Sequence, residues 1–208
     1  MHTPPGLKLL ARLGVACPVL GATSAQVTEL REMGLARLRG ATMAPARPAL
    51  GLALDRTTEA QARAWAQARG IGCEAVSQGW QHLRCRGFDA ARVGVAGPPV
   101  SELWLSFGPQ GTLVAVDLYR RGLAPADEAL AWRDATGRLQ AVLGRPARAW
   151  GDAAPQALQA QTLAAAGVQY RYADYIASVT ASEIPRSGLA VREQYLSAVA
   201  VPAARAGR

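Results

Sequence analysis

Histidine is scarce in this 208-residue chain: only His2 and His82 are present. Chemistry that needs a base poised near neutral pH therefore has one candidate once the extreme N-terminus is set aside. No serine stands in a G-x-S-x-G elbow, no Walker-type phosphate loop occurs, and H-E-x-x-H is missing, which removes the reaction classes that those local patterns announce. Lysine is scarcer still, with Lys8 the only one. The net charge of +8 thus rests on arginine. In a chain so rich in alanine, glycine and proline, compositional bias explains that as well as nucleic-acid binding does, so nucleic acid is not the expected partner. No stretch approaches the ~20 apolar residues of a membrane helix, and the mature chain is expected to have no membrane span. No cofactor fingerprint is found, and none is expected to be bound.

What is there is enough apolar material, 50% of the residues, to bury one sizeable core. Lys8 and Arg12 precede the apolar run Leu13 to Leu20, and the small residues Thr23-Ser24-Ala25 follow. This is the shape of a secretory signal peptide over residues 1–25, cleaved near Ala25. The expected destination is the periplasm or the exterior; a cytoplasmic chain with an uncleaved N-terminus is the alternative. Residues 26–50 read as a short helix, with Thr28 as its cap, followed by a proline-bearing linker from Ala41 to Pro48. Residues 51–197 read as a single α+β domain, and 198–208 as a flexible tail.

Within that domain a helix capped by Thr57 or Thr58 runs to about Arg69 with Ala62, Trp65 and Ala66 inside. From Ile71 to Gly87 a hairpin centred on Gly79 sets Cys73 opposite Cys85, Ala75 opposite Leu83 and Glu74 opposite Arg84, which puts both cysteines on one apolar face and His82 on the other. A disulfide between Cys73 and Cys85 follows, and a metal site that includes His82 does not. Ser101 to Arg121 is a second hairpin about Gly108-Pro109-Gln110-Gly111. Its expected register places Leu105 opposite Val114 and Glu102 opposite Asp117, with Trp104, Leu113 and Tyr119 on the outer face. A helix opens at Pro125 and stops at Gly144, burying Ala129, Trp132, Thr136, Leu139 and Leu143. A short helix spans Gln156 to Ala166. A strand follows from Val168 to Thr180, with a bulge near Asp174, and the chain returns through Leu189 to Tyr195. A helix running through glycine into a strand recurs at Ala66 to Ala75 and Leu163 to Tyr172, a faint internal echo.

The sum is an α+β fold: an antiparallel β-sheet built from hairpins, with helices packed on one face. The helix-helix-then-strands order is similar to that of small secreted inhibitor and lipoprotein modules of the kind seen in β-lactamase inhibitor proteins; no residue motif carries the likeness. For function, the leader, the paired cysteines and the missing catalytic set together point to a non-catalytic periplasmic or secreted module that binds a protein or cell-envelope component through an exposed sheet face. Its candidate contact residues are Trp104, Tyr119, Tyr170, Tyr172, Tyr175 and Arg171, because tyrosine and tryptophan give large rigid contacts with a polar tip. Two alternatives belong to other classes: a small envelope enzyme using Glu102 and Asp117 as an acid/base pair, and a basic nucleic-acid binder.

Overall fold

The computed structural model describes residues 22–160, 164–184 and 186–200. Most of the expected leader lies outside the described residues. Thirteen residues, Ser24–Ala36, form α1. Its cap is not Thr28 but Thr23, whose side chain accepts from the Gln26 backbone while Gln26 answers with its own side chain. Thr28 lies inside the helix and donates to the Ser24 carbonyl. The S/T-x-x-Q spacing of a capping box was legible at Thr23, and a cut after Ala25 would remove it.

The second helix, α2 (Glu59–Ala68), carries the same box on Thr58 and Gln61 and buries Ala62 and Ala66 as expected. Then come β1 (Cys73–Gln78), β2 (Trp80–Phe88), β3 (Val100–Phe107), β4 (Leu113–Leu123), α3 (Pro125–Leu143), β5 (Arg148–Trp150), α4 (Pro155–Gln159), β6 (Ala165–Arg171), β7 (Tyr175–Ile184) and β8 (Gly188–Ser197). All eight strands form one antiparallel sheet in the order β1-β2-β3-β4-β8-β7-β6-β5. Two four-stranded halves, each entered from a helix, therefore meet at the β4–β8 seam. The echo noticed in the sequence belongs one element earlier in the second half, where α3 runs through Gly144 into β5.

The β1–β2 register agrees with expectation pair by pair, including Cys73↔Cys85, Glu74↔Arg84 and Ala75↔Leu83, about Gly79 at φ +73. The two sulfurs lie at disulfide distance, 2.03 Å. The β3–β4 register does not agree: Leu105 faces Val116, Trp104 faces Asp117 and Glu102 faces Tyr119. A bulge at Val114, which pairs with neither Ser106 nor Phe107, accounts for one residue of this two-residue shift, and a five-residue turn accounts for the other. Thr112 accepts from Gly108 across the turn and also bridges to Thr58, so the connection is longer than a four-residue loop, and Leu113 joins the core opposite Phe107.

Two further corrections concern the second half. The slip between Tyr172 and Tyr175 is a chain reversal rather than a bulge, closed by Tyr172 N–H donating to the Tyr175 carbonyl, so the single expected strand is two. The expected helix to Ala166 ends by Gln159, and Gly167 sits mid-strand, where a Cβ would stand 2.1 Å from the Trp150 ring. Gly167 is thus a close-approach glycine and not a helix stop.

Three of the described helices, α2, α3 and α4, cover one face. On α3 the inward positions are Glu128, Ala131, Ala135, Leu139 and Leu143, so the stripe is rotated from the expected Ala129-Trp132-Thr136 line. Small alanines let the helix lie close on β4, β7 and β8, whose inward residues include Val116, Leu118, Val179 and Val191. The first helix is on the opposite side. Its Leu35 packs with Ile176 and Ala198, and Leu196 is nearby. The segment that follows straps the end of the sheet: Ala173 N–H donates to Thr42, Ala44 N–H to Asp174, and the Tyr175 hydroxyl to the Pro48 carbonyl at 2.5 Å. Ala198, expected to begin a loose tail, is buried and donates to the Asp174 carbonyl. Residues 201–208 lie outside the described residues. No described helix is long and apolar enough to cross a membrane.

Candidate interaction face

Strand alternation sends residues of even number on β2 and β3, and of odd number on β4, to the face that α2, α3 and α4 leave open. His82, Arg84, Glu102, Trp104, Ser106, Asp117 and Tyr119 share it, and β8 adds Arg192 and Gln194 across the seam. At the far edge β5 pairs with β6 and brings Trp150 over Gly167 and Arg148 over Gln169. Of the described helices only α1 lies on this side, across one end, where Trp80 Nε1 donates to Thr28 at 3.3 Å and Arg31 stands over the Trp80 ring.

Each acid here is held by its own cations. Glu102 accepts from Arg84 Nε at 2.7 Å, from Arg121 at 3.2 Å and from Trp104 Nε1 at 3.3 Å, with Arg86 at 3.6 Å. Asp117 accepts from Arg192 Nε and from Gln194 Nε2, both at 2.9 Å. The register that would have set the two acids opposite each other is not the observed one. An acid/base pair needs two carboxylates sharing one environment; here they are divided between two arginine sets.

The guanidinium groups lie on the rings: Arg84 is 4.9 Å from the Trp104 centroid, Arg121 and Arg192 are 4.6 and 5.3 Å from that of Tyr119, and Arg148 is 5.6 Å from that of Trp150. Such stacking holds a flat donor group in place while its edges stay available. The carboxylates lie deeper than the cations, since the Glu102 side chain is 10% exposed against 43% for Arg121 and 53% for Arg86.

Of the sequence candidates, Trp104 and Tyr119 stand together on this face, and Arg171 is on it toward the β6 side, bonded to Gln169 at 2.6 Å. The tyrosine set is not there. Tyr170 and Tyr175 are in the core, and Tyr172 is half-buried, packed against that core and donating to the Leu143 carbonyl. Burial pushes the Tyr170 and Tyr175 hydroxyls above their ordinary pKa. The alternation rule would have separated them had the reversal at 172–174 been recognised. It would also have found Arg84, Arg121 and Arg192.

His82 Nδ1 lies 2.9 Å from Ser106 Oγ, a contact the sequence did not announce. Burial pulls the imidazole below its ordinary pKa, its Nε2 has no partner, and Asp117 is taken up by Arg192. The pair therefore lacks the carboxylate that orients a histidine base in a nucleophile relay. Among the described residues no three His, Cys, Asp or Glu side chains are grouped to hold a metal ion. Comparison with protein-family models, curated proteins and solved structures returns no match.

A second polar cluster lies beneath α3. Glu193 on β8 accepts from Arg138 at 2.6 Å and from the Tyr195 hydroxyl at 2.5 Å, and Arg120 is 3.4 Å away. Arg120 and Glu193 are sealed from solvent, so this cluster belongs to the core and not to a surface.

Proposed function

We propose that the protein is a non-catalytic periplasmic or secreted module that binds a protein or cell-envelope component through the open face of its sheet. The observation that carries this reading is the array on that face, where Trp104 and Tyr119, on the neighbouring strands β3 and β4, have arginines laid over their rings. Tryptophan, tyrosine and arginine are the residue types that dominate binding energy at protein interfaces. The Cys73–Cys85 pair supports an oxidising compartment, in which such a bridge persists. The leader pattern agrees with that destination.

Two measurements test this. The mass of the protein purified from its host is expected to correspond to a chain starting near Gln26 with the bridge formed; an intact N-terminus with free thiols would reject export. A photo-reactive amino acid in place of Tyr119 is expected to trap a host component, whereas the same group at Gln67 on the outside of α2 is expected to trap none. Trapping only from Gln67 would mean that the wrong surface has been chosen.

A further inference from the structure

We infer that the partner of the open face is an acidic protein surface whose carboxylates are received by the arginines that Glu102 holds against the rings. This rests on the sheet-face reading above and adds the chemistry of what binds there. Glu102 is nearly buried and occupies one edge of the Arg84 guanidinium, which lies on Trp104. It takes one nitrogen of Arg121, which lies on Tyr119 and is 43% exposed. Arg86 stands over the same carboxylate, more exposed again. Glu102 thus gathers three cations that lie nearer the surface than it does, and Glu74 on β1, 54% exposed, adds a second carboxylate 3.2 Å from Arg86. An arriving ligand meets guanidinium groups already oriented, and a planar, pre-set guanidinium suits a carboxylate through paired N–H donors.

A single-stranded nucleic acid is also anionic, but it binds such sheets by stacking bases on open aromatic faces. Tyr119 has Arg121 and Arg192 within stacking distance and Trp104 has Arg84, so a base would have to displace a guanidinium group in order to stack. A carboxylate, by contrast, needs only the guanidinium edges. Glu102 is on this account a positioning residue: it lowers the net positive charge of the face and raises its order. The two contributions have opposite signs, so they can be told apart.

The experiment is an NMR titration of the oxidised protein with hexaglutamate, in parallel with oligo-dT of equal length. Hexaglutamate is expected to shift the Trp104 indole and the backbone around Arg84 and Arg121, with an affinity that falls as salt is raised. Oligo-dT is expected to bind more weakly and without perturbing the Trp104 ring. Glu102→Gln is expected to weaken hexaglutamate binding by roughly three- to tenfold, about the effect of losing one charge-assisted contact, although it makes the face more positive. Arg121→Ala, at an exposed position that does not endanger folding, is expected to do the same. Tighter binding to Glu102→Gln, equal or tighter binding of oligo-dT, or shifts centred on Arg63 and Arg69 would overturn the inference. A neutral or basic host protein cross-linked from Tyr119 would also overturn it while leaving the sheet-face reading standing; cross-links from Gln67 alone would remove that reading first.

Discussion

Glu193 and Glu102 are built alike on opposite faces of one sheet. Each gathers several arginines and one aromatic donor, the Tyr195 hydroxyl for Glu193 and the Trp104 indole for Glu102. What separates them is cover. Above Glu193 lies α3, so the acid and Arg120 are sealed, while Arg86 and Arg121 beside Glu102 are about half exposed. A sealed network is costly to break because an orphaned charge cannot turn to water. An open network costs little to break, and its remaining donors can be offered to something else. On our proposal the same chemistry is structural on one face and available for recognition on the other.

The largest expected effect is at the sealed site. Glu193→Gln leaves Arg120 buried without its nearest counter-charge, and its Nε and Nη1 already lack partners. Loss of a partner from a buried pair costs about 3–5 kcal/mol, to be read from urea unfolding. A loss no larger than that at an exposed pair would mean that α3 does not seal this face in solution. Next comes the bridge. Cys73 and Cys85 close a loop with a sequence separation of 12, for which chain entropy alone predicts about 3 kcal/mol of stabilisation. Replacing both by alanine measures it, and an unchanged midpoint in the oxidised protein would show that the bond is not formed.

How far the sequence carried this comparison depends on what local patterns can say. The β1–β2 register was legible because three pairs, sulfur with sulfur, acid with base, and apolar with apolar, agreed on one alignment. The β3–β4 register was not, because a bulge at Val114, which no glycine or proline marks, and a turn one residue longer than the Gly108 to Gly111 motif suggests each shift the pairing by one. That shift made Glu102 and Asp117 look like neighbours. Trp104 and Tyr119 still fell on the open face, since a two-residue slip preserves alternation. The tyrosines of β6 and β7 were misplaced for a different reason: the reversal at Tyr172-Ala173-Asp174 carries no glycine, and Asp174 is fixed there by Ala44 from a distant segment. Long-range partners of that kind leave no local trace.

Glu128 sharpens the comparison through pH. It faces inward on α3 with neither oxygen partnered, and burial pushes its pKa from 4.5 up to about 7. The folded protein therefore keeps a proton that the unfolded chain gives up. The resulting stabilisation is fully present below pH 4.5 and is lost as pH rises through 7, a change on the order of 2–3 kcal/mol. Glu128→Gln is expected to match the parent at about pH 4 and to exceed it at about pH 8. Parallel pH profiles for the two proteins would mean that Glu128 reaches solvent or finds a cation.

The smallest effect on stability is expected at Glu102. Its charge is shared among Arg84, Arg86 and Arg121, two of which are about half exposed. When a neutral amide replaces the acid, in Glu102→Gln, those cations recover hydration that Arg120 is denied. Exposed pairs are worth about 0–1 kcal/mol, so the unfolding midpoint should barely move even as the order of the arginine array is lost. A double-mutant cycle between Glu102 and Arg121 should return a coupling within that range, and one between Glu193 and Arg120 a clearly larger value. A Glu102 coupling as large as that of Glu193 would show that the open face is closed in solution, by another segment or a second copy. The array would then be a second structural network and no longer a site of recognition.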